Sequence, residues 1–159
     1  MSVARAILGG MTSLPADPSI YELVGGAPAF ERLVHALHER CVADPVLDHA
    51  FDRDDLHPDH LPRLAAYLGE ACGGPSAYTR DHGGESAMQE VHAGNGPEEA
   101  FFINFLACFQ GALADADFPA AVRPALMSYM DDALVRMRAY AHYGAVVPAD
   151  LPLPHVVWP

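Results

Sequence analysis

Histidine is the residue type with which this chain could do chemistry. Nine are present: His35, His38, His49, His57, His60, His82, His92, His142 and His155. Imidazole titrates near neutrality and is the commonest nitrogen ligand of metals. His57 and His60, in the stretch HPDH, have loose metal spacing, but two partly exposed histidines at a helix start would give the same pattern. No HExxH motif and no Cys/His cluster suited to structural zinc is present. Nor does a serine nucleophile elbow, a glycine-rich phosphate loop or a catalytic carboxylate pair stand out.

Three of the nine, His38, His60 and His92, lie on or beside apolar helical faces in three different segments. Among them stand Phe51, Leu64, Tyr67, Phe105 and Phe109. A single histidine in such a place is ordinarily a core or edge residue. Three converging on one apolar wall need a shared partner. A flat apolar cofactor with a metal centre suits them, because one histidine ligates the metal while aromatic rings cover the plane.

The elements that must position these residues read as helices. Ser19 caps a short helix in SIYELVGG, and Gly25-Gly26 stops it. From Pro28 to Ala43, Phe30, Leu33, Val34, Leu37 and Cys41 recur at helical steps, with His38 on the edge of the stripe. A connection carrying Phe51 on about one helical turn follows. A helix over Asp59–Cys72, capped by Asp59, presents Leu61, Leu64, Ala65 and Leu68, with His60, Leu64 and Tyr67 on an overlapping face. Gly73-Gly74-Pro75 ends it. Residues 76 to 87 read as polar loop, and a short helix covers Glu85 to His92. Pro97 opens a long helix with Glu98 and Glu99 in its first turn and Phe101, Phe102, Phe105, Cys108, Phe109 and Leu113 on its apolar face. A last helix runs from near Pro119 to about Tyr140. No period-two strand pattern is found. The class is all-α, with residues 1–18 as a flexible leader, 19–142 as the folded domain and 143–159 as a proline-rich, irregular tail.

The totals narrow the partners. All nine basic residues are arginine, against 21 acidic ones, for a net charge of −12. Such a surface repels nucleic acid and anionic membranes. Three scattered cysteines without a CxxC suit a reducing compartment and core-filling thiols. No apolar run approaches the length of a membrane span. The chain is expected in the cytoplasm, as a monomer or homodimer.

SIYELVGGAPAFERLVHALHERCVADPVLDHAF, then YLGEACGGPSAY, then VHAGNG resemble, in order and spacing, the truncated hemoglobins of the group II branch. The resemblance spans roughly residues 19 to 140. It implies a truncated globin-like two-over-two helical sandwich around heme b (iron protoporphyrin IX). It implies His92 as the proximal iron ligand, Phe51 as the aromatic wedging the heme, and His38 and His60 on the distal side. Leu64 and Tyr67 would follow along the distal face, with Phe105 where the group II branch usually has tryptophan. Glu90 cannot pair with a heme propionate, so Arg63 or Arg80 would take that part. His92 Nδ1 would donate to the Met88 carbonyl, and His38 or His60 would donate to a bound ligand or occupy the sixth iron site. The function implied is binding of dioxygen, nitric oxide or carbon monoxide, as in oxygen transport, with nitric-oxide dioxygenase or peroxidase-like reactions and a reductase partner. The alternative is a heme-free, globin-shaped interaction or sensor module, motivated by the departures at Phe105, His38 and around His92. A zinc protein using His57 and His60 is a weaker third reading.

Overall fold

Ser19 starts the first helix as its sequence suggests. Its hydroxyl accepts from the Glu22 N–H while the Glu22 carboxylate accepts from the Ser19 N–H, a reciprocal capping box. Gly25, with φ +98°, closes the helix in the left-handed region that favours glycine. The computed structural model describes residues 17–96 and 98–159. The expected leader therefore lies almost wholly outside the described residues, as does Pro97.

Among the described residues there are eight helices and no strand: α1 (Ile20–Val24), α2 (Ala27–Ala43), α3 (Asp48–Phe51), α4 (His60–Ala71), α5 (Ala77–His82), α6 (Gly84–His92), α7 (Glu99–Asp115) and α8 (Arg123–Arg138). The apolar stripe read for α2 is the one it buries: Phe30, Leu33, Val34, Leu37 and Cys41. This face lies against both α4 and α7, and α7 lies against α8. Two helix pairs, α2 with α4 and α7 with α8, thus make the two-over-two sandwich. Phe30, Phe109 and Phe118 are fully buried where the layers meet. Each such side chain stabilises the fold by about 1.5–3 kcal/mol relative to exposure. All three cysteines are free and buried, as core-filling thiols should be.

Four local readings need correction. Residues 76 to 87 are not a loop. They form α5 and the start of α6. The cause is Glu70, a buried carboxylate on α4 that accepts from the Thr79 N–H at 2.9 Å and from the Thr79 hydroxyl. It satisfies first-turn donors that α5 cannot satisfy itself. Asp59 stands at the start of α4, but its side chain makes no capping bond; its own N–H donates to His57 Nδ1. The last helix begins at Arg123 rather than near Pro119, with Pro124 in the first turn, where a missing N–H costs nothing. It also stops at Arg138, short of Tyr140, while the long helix before it begins at Glu99.

The residues after α8 carry no helix or strand, yet they pack on the domain. Leu153, Val156 and Trp158 lie against the core, and the Val156 N–H donates to the Ala71 carbonyl at 2.8 Å. Among the described residues, no helix is long and apolar enough to cross a membrane.

Candidate heme site

Four helices bring aromatic and imidazole rings to one wall. His38 from α2 and His60 from the start of α4 have ring centroids 5.1 Å apart. Phe51 from α3 meets His38 edge-on at 6.4 Å and stacks on Phe101 and Phe105 of α7 at 6.1 and 6.0 Å. The Phe101 and Phe105 rings are parallel to within 5°. His38, His60, Phe51 and Phe105, drawn from four segments, therefore do converge, and Leu64 packs half-buried nearby on α4. Phe101 belongs to the same wall. Its four-residue spacing from Phe105 was the signal for it.

The imidazoles are not satisfied by the protein. His38 Nδ1 and His60 Nε2 are buried without a hydrogen-bond partner. Such atoms are costly unless something else pairs with them. Burial, with the neighbouring His60 next in importance, holds His38 below the usual histidine pKa. The two rings are chemically unlike. His60 Nδ1 lies 3.0 Å from the His57 carbonyl, and a carbonyl only accepts, so Nδ1 carries the hydrogen. The neutral ring then presents a lone pair on Nε2. Arg63 on α4 also has a buried, unpartnered Nε. Arg80, by contrast, is exposed and forms a two-pronged ion pair with Asp81.

His92 ends α6. Its Nδ1 donates to the Met88 carbonyl at 2.8 Å, which leaves Nε2 as the lone-pair nitrogen. Helix α4 packs along α2 and α5, and α6 packs along α5. Among the described residues, α4 and α6 do not pack along each other. They are joined by Tyr67. Its hydroxyl donates to Glu85 Oε2 at 2.7 Å and accepts from Tyr129 at 3.2 Å. Gln89 donates to Glu85 Oε1 at 2.8 Å, and Arg136 Nε stands 3.8 Å from the same oxygen. Burial raises the Tyr67 hydroxyl far above its ordinary range and pushes Tyr129 up to about 12, so both phenols keep their protons. Sequence reading placed Tyr67 along the cofactor face and missed Glu85, Gln89, Tyr129 and Arg136. The available signal was the Glu85/Gln89 pair, four residues apart and interleaved with Met88 and His92 on one helical face.

An apolar aromatic wall with orphaned ring nitrogens, and an imidazole whose Nδ1 is held by a backbone carbonyl, are side chains suited to a heme. The all-helical two-over-two sandwich is that of the truncated globins. Residues 19–139 match the family model described as bacterial-like globin, and the chain belongs to that family. The group 1 truncated hemoglobin of Nostoc sp. (strain MUN 8820) is 32% identical over 84 residues, 53% of this chain and 66% of that protein. The match thus spans just under two thirds of that relative's length. Among solved structures, a hemoglobin from Chloroflexus aurantiacus superposes with a TM-score of 0.67 at 30% identity, covering 76% of this chain and 98% of that one. The group II truncated hemoglobin of Bacillus anthracis shares the fold, with a TM-score of 0.66 at 23% identity over 79% of this chain and 92% of that one. Heme-based binding of small ligands in general follows from the family.

Proposed function

We propose that this chain holds heme b between α4 and α6, with His92 Nε2 on the iron, and binds a small diatomic ligand on the face toward His38 and His60. The observation that carries this is the pair of buried, unpartnered ring nitrogens on one apolar wall, His38 Nδ1 and His60 Nε2; Arg63 Nε, elsewhere on α4, is likewise buried and unpartnered. When bound, the heme supplies the iron centre at which dioxygen, nitric oxide or carbon monoxide is held. The protein's residues do the rest. Phe51, Phe101, Phe105 and Leu64 cover the ring and exclude water. Arg63, rather than the ion-paired Arg80, pairs with a propionate. Tyr67 ties α4 to α6 through Glu85.

The distal histidines divide the work. His38 has a buried Nδ1 to offer as donor to a polar ligand, a bond that contributes about 1–3 kcal/mol, or roughly tenfold or more in affinity. His60 in its neutral form offers a lone pair on Nε2, which suits direct ligation of iron when no external ligand is present. The physiological setting proposed is a cytoplasmic protein binding dioxygen, with a reductase partner for nitric-oxide dioxygenation.

The test is the visible spectrum of the protein loaded with hemin, oxidised, reduced, and reduced with carbon monoxide. We expect stoichiometric uptake that His92→Ala abolishes. We expect a six-coordinate reduced form that His60→Ala converts to five-coordinate and His38→Ala does not. No stoichiometric uptake would overturn the reading and leave a heme-free helical module.

A further inference from the structure

The helix that carries His92 is held at both ends by one later stretch of chain. Helix α6 has nine residues, begins at Gly84 and has no side-chain cap. A helix that short is marginal alone, so tertiary bonds set where it lies. At its far end, the Gly94 N–H donates to the Tyr140 carbonyl at 2.9 Å and the Gly96 N–H donates to the Ala141 carbonyl at 2.8 Å. Both glycines take left-handed backbone, with φ +76° and +85°, which lets the turn after His92 meet that stretch. At its near end, the Ser86 hydroxyl donates to the Pro148 carbonyl at 2.8 Å and accepts from the Leu151 N–H at 2.9 Å. The same stretch then reaches the last residue of α4 through Val156 and Ala71, and seats Leu153, Val156 and Trp158 on the core. The family match ends at residue 139, so this contact set lies beyond it.

We propose that residues 140–156 are a brace that fixes the proximal helix, and that Ser86 is a positioning residue for His92. The proposal rests on His92 being the iron ligand. The bond from His92 Nδ1 to Met88 lies within α6 and so moves with the helix. It orients the ring relative to α6 but not α6 relative to α4. That second alignment is shared by the Tyr67–Glu85 link and the brace, which touches both helices. Ser86 makes two bonds to it through one oxygen. Its replacement by alanine would leave α6 held at that end only by the Tyr67–Glu85 link and α5, and would loosen its setting and with it the imidazole.

The experiment uses the full chain loaded with hemin, as wild type, Ser86→Ala, Ser86→Thr, Leu153→Ala and His92→Ala. The readouts are the iron–histidine stretching band of the reduced protein and the rate of heme loss to excess apomyoglobin. Ser86→Ala is expected to shift the band and speed heme loss roughly threefold or more, below the 10–100-fold typical of a direct outer-shell partner. Ser86→Thr, which keeps the hydroxyl, should restore both. Leu153→Ala loosens the brace without touching α6, should act in the same direction, and decides the matter if Ser86→Ala does not fold. Wild-type band and heme loss in Ser86→Ala, or effects that Ser86→Thr does not reverse, overturn the brace. If His92→Ala abolishes the heme spectrum in that case, the ligand assignment survives and only the brace fails. If His92→Ala leaves the spectrum unchanged, the ligand assignment itself has failed and the positioning role goes with it.

Discussion

Tyr67→Phe removes a single oxygen from the polar link between α4 and α6. The ring that packs on Tyr78 at 5.2 Å stays. Glu85, only 3% exposed, keeps Gln89 at 2.8 Å but loses the Tyr67 donor at 2.7 Å. A hydrogen bond to a charged partner is worth about 1.5–3 kcal/mol. The Tyr129 hydroxyl also loses its acceptor, at about 0.5–1.5 kcal/mol. The phenyl ring preserves the volume, so a cavity contributes little. The sum is about 2–4 kcal/mol, a fall in Tm on the order of 5–15 °C for a chain of this size. Urea unfolding of the apoprotein, followed by circular dichroism, measures it, provided the slope with denaturant is unchanged. Glu85→Gln and the double variant complete a cycle, in which a coupling of about 1 kcal/mol or more is expected. A Tyr67→Phe cost below about 0.5 kcal/mol would refute the assignment of this link as a stabilising one.

Three further outcomes are expected. His38 sits below its ordinary pKa of 6.5, so as pH falls the unfolded chain takes up the proton first. Apoprotein stability should therefore decline as pH is lowered through about 6.5 toward the folded value, and His38→Gln should flatten that slope in urea midpoints taken across the range. Gly73→Ala places a Cβ 2.7 Å from Ser19 Cβ at φ +91°; a loss of about 1–3 kcal/mol in thermal or urea unfolding is expected, and an unchanged midpoint would contradict the crowding. Burial pushes the Cys72 thiol up to about 12 and raises Cys41 further, so timed alkylation of the native apoprotein at mildly alkaline pH should label Cys108 first and the other two only on unfolding.

The fold was legible wherever a helix buries a stripe of its own. Phe30 through Cys41 in α2 and Cys108, Phe109 and Leu113 in α7 announce themselves by spacing, and they carry the sandwich. What failed to show was stability supplied from far along the chain. Helix α5 has six residues, and its first-turn donors are met by Glu70 of another helix, so no local pattern marks it. The tail reads as irregular, and it is, but nothing in a proline-rich run says that it will return to Ser86 and Ala71. Of the site, the wall of His38, His60, Phe51 and Phe105 was legible because each ring lies on or beside an apolar face. The polar link was not, because a glutamate and a glutamine in a short helix are expected to face water, and only the tertiary contacts turn Glu85 and Gln89 inward.

The order of the chain gives the bracket around α6 a temporal meaning. Ser86 bonds to residues 62 and 65 positions later, and Gly94 and Gly96 to residues about as distant from α6 in sequence as the whole of α7 and α8. During synthesis the N-terminal part emerges first, and pairings of long sequence separation close last. The wall of His38, His60 and Phe51 can therefore assemble while the helix bearing His92 is held only by Tyr67 and α5. On the proposed reading of the site, a cofactor arriving early would meet a finished distal side and an unfinished proximal one. Its secure seat would come only after residues 140–151 have been made and have folded back.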